Sequence, residues 1–122
     1  NTDRHVECLD TAAHECGVHF AWEVATVPIG GDCFLAATHG HDEGVLGELI
    51  LGQQFKYVCH GHTHHLRDDR IGVCRIINPG ALHRSIRPTI TILDTETDVL
   101  EIFDVPDQPH RASHHSSKTS LV

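Results

Sequence analysis

Basic charge is what this sequence most lacks. Nine Lys and Arg stand against 17 Asp and Glu, for a formal net charge of −8. That balance excludes a broad basic surface for nucleic acid or anionic membrane. A deep pocket could still be positive if it held metal ions, because a bound cation outweighs the side chains around it. Long hydrophobic runs are missing too: none approaches the ~20 apolar residues that cross a bilayer, and no signal peptide is visible. Cysteine is sparse and unpaired. The five residues Cys8, Cys16, Cys33, Cys59 and Cys74 form no C-x-x-C pair, and their odd number argues against a disulfide framework or a structural zinc knuckle. Cys59 and Cys74 lie in apolar runs and read as small core residues. This usage fits the reducing cytosol, hence a cytoplasmic location.

Histidine is what the chain has in excess, with 13, against no methionine, one tryptophan and one tyrosine. Chance and surface enrichment account for His110, His114 and His115 near the C-terminus. Clustering favours a metal site for His39, His41, His60, His62, His64 and His65, which fall in two short stretches. At 122 residues, 39% of them hydrophobic, the chain is one globular domain with a modest core.

The organisation is α/β. Spaced apolar residues predict an amphipathic helix over 2–16, closed by Gly17. Alternation predicts a strand from His19 to Val27, followed by a turn at residues 28–32. Cys33 to Ala37 reads as a strand buried on both faces. The stripe Val45, Leu46, Leu49 and Ile50 predicts a helix over 43–54. Phe55 to Cys59 and Gly72 to Ile77 read as two further buried strands. Residues 89–93 and 99–105 alternate around a polar turn and read as a hairpin. From residue 106 to 122 the composition turns to Ser, His, Pro and Lys, which predicts a disordered tail after a domain over 1–105.

In such sheets ligands bind beyond the carboxyl ends of the strands. Thr38-His39-Gly40-His41 follows one predicted strand end, and Gly61-His62-Thr63-His64 follows another. The fold is therefore expected to bring both turns to one edge, with Gly40 and Gly61 supplying backbone geometry closed to other residues. Neutral imidazoles arranged this way suit Zn, Mn, Fe or Ni.

T-H-G-H at 38–41, G-H-T-H at 61–64 and N-P-G at 78–80, in that order, resemble the last third of a calcineurin-like metallophosphoesterase. The N-P-G turn before a hairpin is most similar to the compact YfcE-type phosphodiesterase branch, whose fold a retromer subunit shares. The resemblance implies the C-terminal part of a β-sandwich flanked by helices, in αββα layers. It implies two divalent transition-metal ions, drawn from Mn (manganese), Ni, Fe or Zn. Asn1, His39 and His62 would ligate one ion and His64 the other, with His41 near the substrate phosphate. Asn78 and Gly80 would shape the loop beneath, or Asn78 is an ordinary turn residue. The implied reaction is phosphodiester hydrolysis of a small-molecule phosphate ester by a hydroxide bridging the two ions.

Two of the family's motifs, D-x-H and G-D-x-x-D, are not found. Asn1-Thr2-Asp3 resembles a third, G-N-x-D, without its glycine, or matches it by chance. The expectation is a chain lacking its first strand–helix units, inactive by itself and poorly soluble or dimeric. Thr2 stands where many members place a histidine that protonates the leaving oxygen, so esters of poor leaving groups are expected to react slowly. The alternative function is a scaffold for protein binding on the same fold. Retention of His39, His62 and His64 argues against it. Oligomeric state is open, a homo-oligomer included.

Overall fold

A computed structural model describes residues 6–106. In chain order the elements are α1 (Val6–Glu15), β1 (Val24–Gly30), β2 (Cys33–Thr38), α2 (Glu43–Leu51), β3 (Tyr57–His60), β4 (Leu66–Ile71), β5 (Cys74–Pro79), β6 (Thr89–Asp94) and β7 (Val99–Asp104). Five strands form a mixed sheet in the order β1-β2-β3-β5-β4, and β6 pairs with β7 in a second, two-stranded sheet. No described helix is long and apolar enough to cross a membrane.

The apolar runs become the sheet's centre. Strands β2, β3 and β5 are parallel, with Thr38 opposite His60 and Cys59 opposite Ile77. Parallel neighbours need a crossover connection, and α2 supplies it between β2 and β3. Its apolar stripe, Leu46, Leu49 and Ile50, packs on Ala36, Val58, Cys74 and Ile76. Asp42 sets where the helix starts: its carboxylate accepts from the backbone N–H groups of Gly44 and Val45, a cap contributing about 1 kcal/mol. The helix ends three residues before the predicted Gln54. Gln53 turns to a left-handed φ of 53°. Its amide donates to the carbonyls of Ile50 and Ile71 and accepts from the N–H of Val73, tying the helix end to the β4–β5 turn.

The other face of the sheet meets the β6–β7 turn through polar contacts. The buried Tyr57 hydroxyl donates to Asp98 at 2.7 Å. Arg75, only 8% exposed, forks onto Asp68 at 2.8 and 2.9 Å and reaches Asp98 at 2.9 Å, and Arg70 also pairs with Asp98. A buried guanidinium is tolerated only when it is paired and hydrogen-bonded in this way. Hydrogen bonds from Tyr57 and then Arg70 hold the Asp98 carboxyl well below its usual range. Burial, followed by the bond to Asp98, pushes the Tyr57 hydroxyl up to about 12.

Four sequence expectations need correction. The first strand runs over Val24–Gly30 rather than 19–27 and includes Pro28, which a sheet edge accepts because no ladder donor is needed there. Strand β2 is not buried on both faces: Ala36 is fully buried, but Phe34 is 44% exposed. The third buried strand starts at Cys74 rather than Gly72. Strand β4 has no counterpart in the sequence reading, because Leu66-Arg67-Asp68-Asp69-Arg70-Ile71 is mostly charged. It is an edge strand, where charge is tolerated, and Asp68 anchors it to Arg75 on β5. Helix α1 lies within the predicted span, and none of its residues is buried. Cys74 is fully buried, whereas Cys59 is only partly so. The predicted tail lies outside the described residues except for Pro106.

Candidate metal centre

Strands β2 and β3 end level with each other, so the chain leaves the sheet twice at one edge. The two turns that follow are joined directly, the Gly61 N–H donating to the His39 carbonyl at 2.9 Å. The Gly61 carbonyl is a hub. It accepts from the Thr63 N–H at 2.8 Å, from Asn78 Nδ2 at 3.2 Å and from His60 Nδ1 at 3.1 Å. Asn78 is 1% exposed, donates also to Thr63 Oγ1 at 3.0 Å and accepts from the Gly80 N–H at 3.0 Å. It is therefore more than a turn residue: besides its turn contact to Gly80, both amide hydrogens are engaged and tie the N-P-G turn to the histidine turn.

His60 was grouped by sequence with the turns, but it closes β3 and is buried. Arg67 Nη1 donates to its Nε2 at 3.3 Å, so the ring proton sits on Nδ1 and goes to Gly61. Burial, with Arg67 adding to it, holds this imidazole below its usual pKa, and it supports the turn as a neutral ring.

Above this support two of the predicted ligands, His39 and His62, come together with His41. His39 Nε2 stands 3.1 Å from His62 Nδ1. The ring centres of His39 and His62 are 5.0 Å apart, those of His39 and His41 5.3 Å, and those of His41 and His62 6.2 Å. His64 lines an adjoining cleft instead. Asn1 and Thr2 lie outside the described residues.

The backbone here departs from expectation in one respect. Gly40 does take a positive φ, 97°, and a Cβ there would stand 3.1 Å from His60 Nδ1. Gly61 does not. The left-handed residues of the second turn are the histidines themselves, His62 at φ 68° and His64 at φ 62°. Each such non-glycine residue costs about 1–2 kcal/mol, and strain of this kind concentrates at functional sites.

Two imidazole nitrogens bound at about 2.1 Å to one ion lie roughly 3.0–3.4 Å apart. The hydrogen bond between His39 and His62, 3.1 Å long, falls in that interval too, so a shared ion would fit where their common proton now sits. Burial first, and then the neighbouring imidazoles His62, His41 and His64 among other charges, lower the His39 pKa, which keeps its lone pair available. Among the described residues no group of three His, Cys, Asp or Glu side chains is placed to hold an ion. The pair alone is an incomplete ligand set.

The model of the calcineurin-like phosphoesterase superfamily domain matches residues 1–98. The chain belongs to the calcineurin-like phosphoesterase superfamily. An archaeal phosphodiesterase superposes with a TM-score of 0.72 at 26% identity, covering 86% of this chain and 64% of that one. A Pyrococcus horikoshii protein gives 0.61 at 14% identity, over 95% of this chain and 52% of that one. Entamoeba histolytica Vps29, solved with zinc, gives 0.50 at 20% identity, over 68% and 59%. The last two likenesses are of fold alone. The chain thus spans 52–64% of the length of these structures. No curated protein sequence matches it significantly.

Sequence reasoning did not single out the residues that support the turn. Thr63 and Arg67 hold the turn, and nothing in their spacing marks them. Their roles depend on β4 folding back beside β5.

Proposed function

We propose that this calcineurin-like phosphoesterase is a metal-dependent phosphodiesterase acting on small-molecule phosphate esters, with the histidine edge as its reacting centre. In this reading His39, His62 and Asn1 hold one divalent ion and His64 contributes to a second. The ions come from Mn, Ni, Fe or Zn, whose borderline character suits imidazole. When bound, such a pair makes a nucleophile from water near neutral pH and neutralises charge on the phosphoryl oxygens. The chain's own residues supply the rest. His39 stays neutral and presents a lone pair. The hub at Gly61 fixes the two turns relative to each other. His41, exposed beside His39 and His62, is within reach of a phosphoryl oxygen held at the edge.

The observation that carries this proposal is the 3.1 Å approach of His39 Nε2 to His62 Nδ1, on turns linked backbone to backbone. The test uses the full-length protein. His62→Ala should lose one equivalent of metal by elemental analysis and most turnover of an activated aryl phosphodiester. Unchanged metal content would sink the ligand assignment. A protein-binding scaffold on the same fold is the competing reading, and wild-type protein free of metal and of turnover would favour it. A cytoplasmic location belongs to the same proposal and is supported by five unpaired cysteines.

A further inference from the structure

Beside the histidine turn lies a cleft of about 350 Å³, between residues 63–66 and the loop 80–89. Its titratable lining is His64, His65, Arg84 and Arg87, with no carboxylate among them. That is notable in a chain with 17 acidic and nine basic residues. The loop is built to hold this lining. Ser85 Oγ bonds the Arg87 N–H and carbonyl in a local turn. Arg87 pairs with Asp104 on β7, which fastens the loop to the hairpin and offsets that arginine's charge. Arg84 differs. It takes a left-handed φ of 54°, and among the described residues it has no carboxylate partner. Gly80, at φ 82°, lets Thr89 and Leu66 pack closely at the base of the cleft: a Cβ there would fall 2.2 Å from Thr89 Oγ1.

We propose that this cleft is a subsite for a second anionic group of the substrate, with Arg84 its principal contact. The ester hydrolysed then carries a further phosphate or carboxylate besides its scissile phosphoryl group. The inference rests on the reading of the histidine edge as the reacting centre, because His64 belongs to both. Its volume sits at the low end of ligand pockets, which suits a small ester rather than a polymer. The guanidinium presents a fork of donors that matches a carboxylate or phosphate in bidentate fashion.

Two inert phosphonates of equal chain length, 4-phosphonobutyrate and butylphosphonate, differ only in the second anionic group. Calorimetric titration of the full-length, metal-loaded protein should show 4-phosphonobutyrate binding roughly 10- to 100-fold more tightly, the range of a charge-assisted hydrogen bond. Arg84→Gln should abolish that preference while leaving butylphosphonate affinity unchanged, and Arg84→Lys should restore part of it. Equal wild-type affinities, no binding of either compound, or a preference that survives Arg84→Gln would each overturn the inference. Hydrolysis of methyl 4-nitrophenyl phosphate, which lacks a second anion, reports separately on the reacting centre. Turnover of that diester with equal phosphonate affinities sinks the subsite alone, whereas no turnover sinks the phosphodiesterase reading as well.

Discussion

Replacing Asn78 by Ala removes the side chain on which the histidine turn rests, and its consequences can be worked bond by bond. The Gly61 carbonyl loses one donor but keeps Thr63 and His60. Thr63 Oγ1 loses the amide but keeps the His65 N–H at 3.3 Å. The Gly80 N–H loses the side-chain acceptor it had in Asn78 Oδ1. An unsatisfied buried donor costs about 1–3 kcal/mol, and the void left by the amide adds on the order of 1 kcal/mol. The expected destabilisation is therefore about 2–4 kcal/mol, a fall in Tm of roughly 10–25 °C for a domain of this size. Loss of a residue supporting ligands typically weakens metal affinity about 10- to 100-fold. Asn78→Asp separates the two effects. It keeps the acceptor for Gly80 but sets a carboxylate oxygen against the Gly61 carbonyl, so stability recovers in part while metal affinity does not. Thermal melts with chelator present, and calorimetric titration with Mn or Zn, give the two readouts on the full-length protein. An alanine variant whose Tm moves by less than ~2 °C and whose metal affinity stays within about twofold would refute the reasoning.

Tyr57 makes the domain sensitive to base. Its folded pKa is raised to about 12 from an ordinary 10.0, so its contribution to stability is complete below pH 10 and is lost as pH rises towards 12. Denaturant titrations from pH 9 to 12 should show that decline, and Tyr57→Phe should flatten it; an equal slope in both proteins contradicts the assignment. His64→Gly should relax a left-handed residue, stabilising the metal-free protein by about 0.5–1 kcal/mol, where His64→Ala gives no such gain. Both variants should bind less metal. Chemical denaturation with and without chelator checks this, and a glycine variant no more stable than the alanine one means that φ 62° carries no strain.

The central strands and α2 were legible because their residues obey simple periods. Val45, Leu46, Leu49 and Ile50 repeat as a helix face must, and Tyr57 to Cys59 is an apolar run. The common edge for both turns was legible as well, since parallel strands joined by a helix put their carboxyl ends together. Strand β4 was not legible, because four of its six residues are charged and no apolar alternation marks it; it is held instead by its hairpin ladder, from Leu66 opposite Pro79 to Ile71 opposite Cys74, and by Asp68 pairing with Arg75. Distance in sequence hid Asn78. Its type and place in N-P-G suggested a turn, but its function depends on Gly61 and Thr63, 17 and 15 residues away. Arg84 gave no signal, since a lone arginine in a loop is usually just solvated. Its meaning comes from the cleft that β4, the turn and the hairpin create together.

The placement of strain in the second turn ties stability to the proposed chemistry. Glycine tolerates left-handed backbone freely, and a turn built for stability alone would put glycine where His62 and His64 now stand. Instead Gly61 takes no left-handed φ and the two residues that do are those proposed to meet the ions. At about 1–2 kcal/mol each, they store roughly 2–4 kcal/mol. The Asn78 network, worth about 2–4 kcal/mol, is what offsets it. The turn's shape is thus set by its support, with His39 Nε2 and His62 Nδ1 3.1 Å apart. Such preorganisation spares an incoming ion the cost of ordering the turn. It follows that the harm of Asn78→Ala should exceed its bond count when metal is absent and shrink when metal is saturating, since bound ions hold the same two turns from the other side.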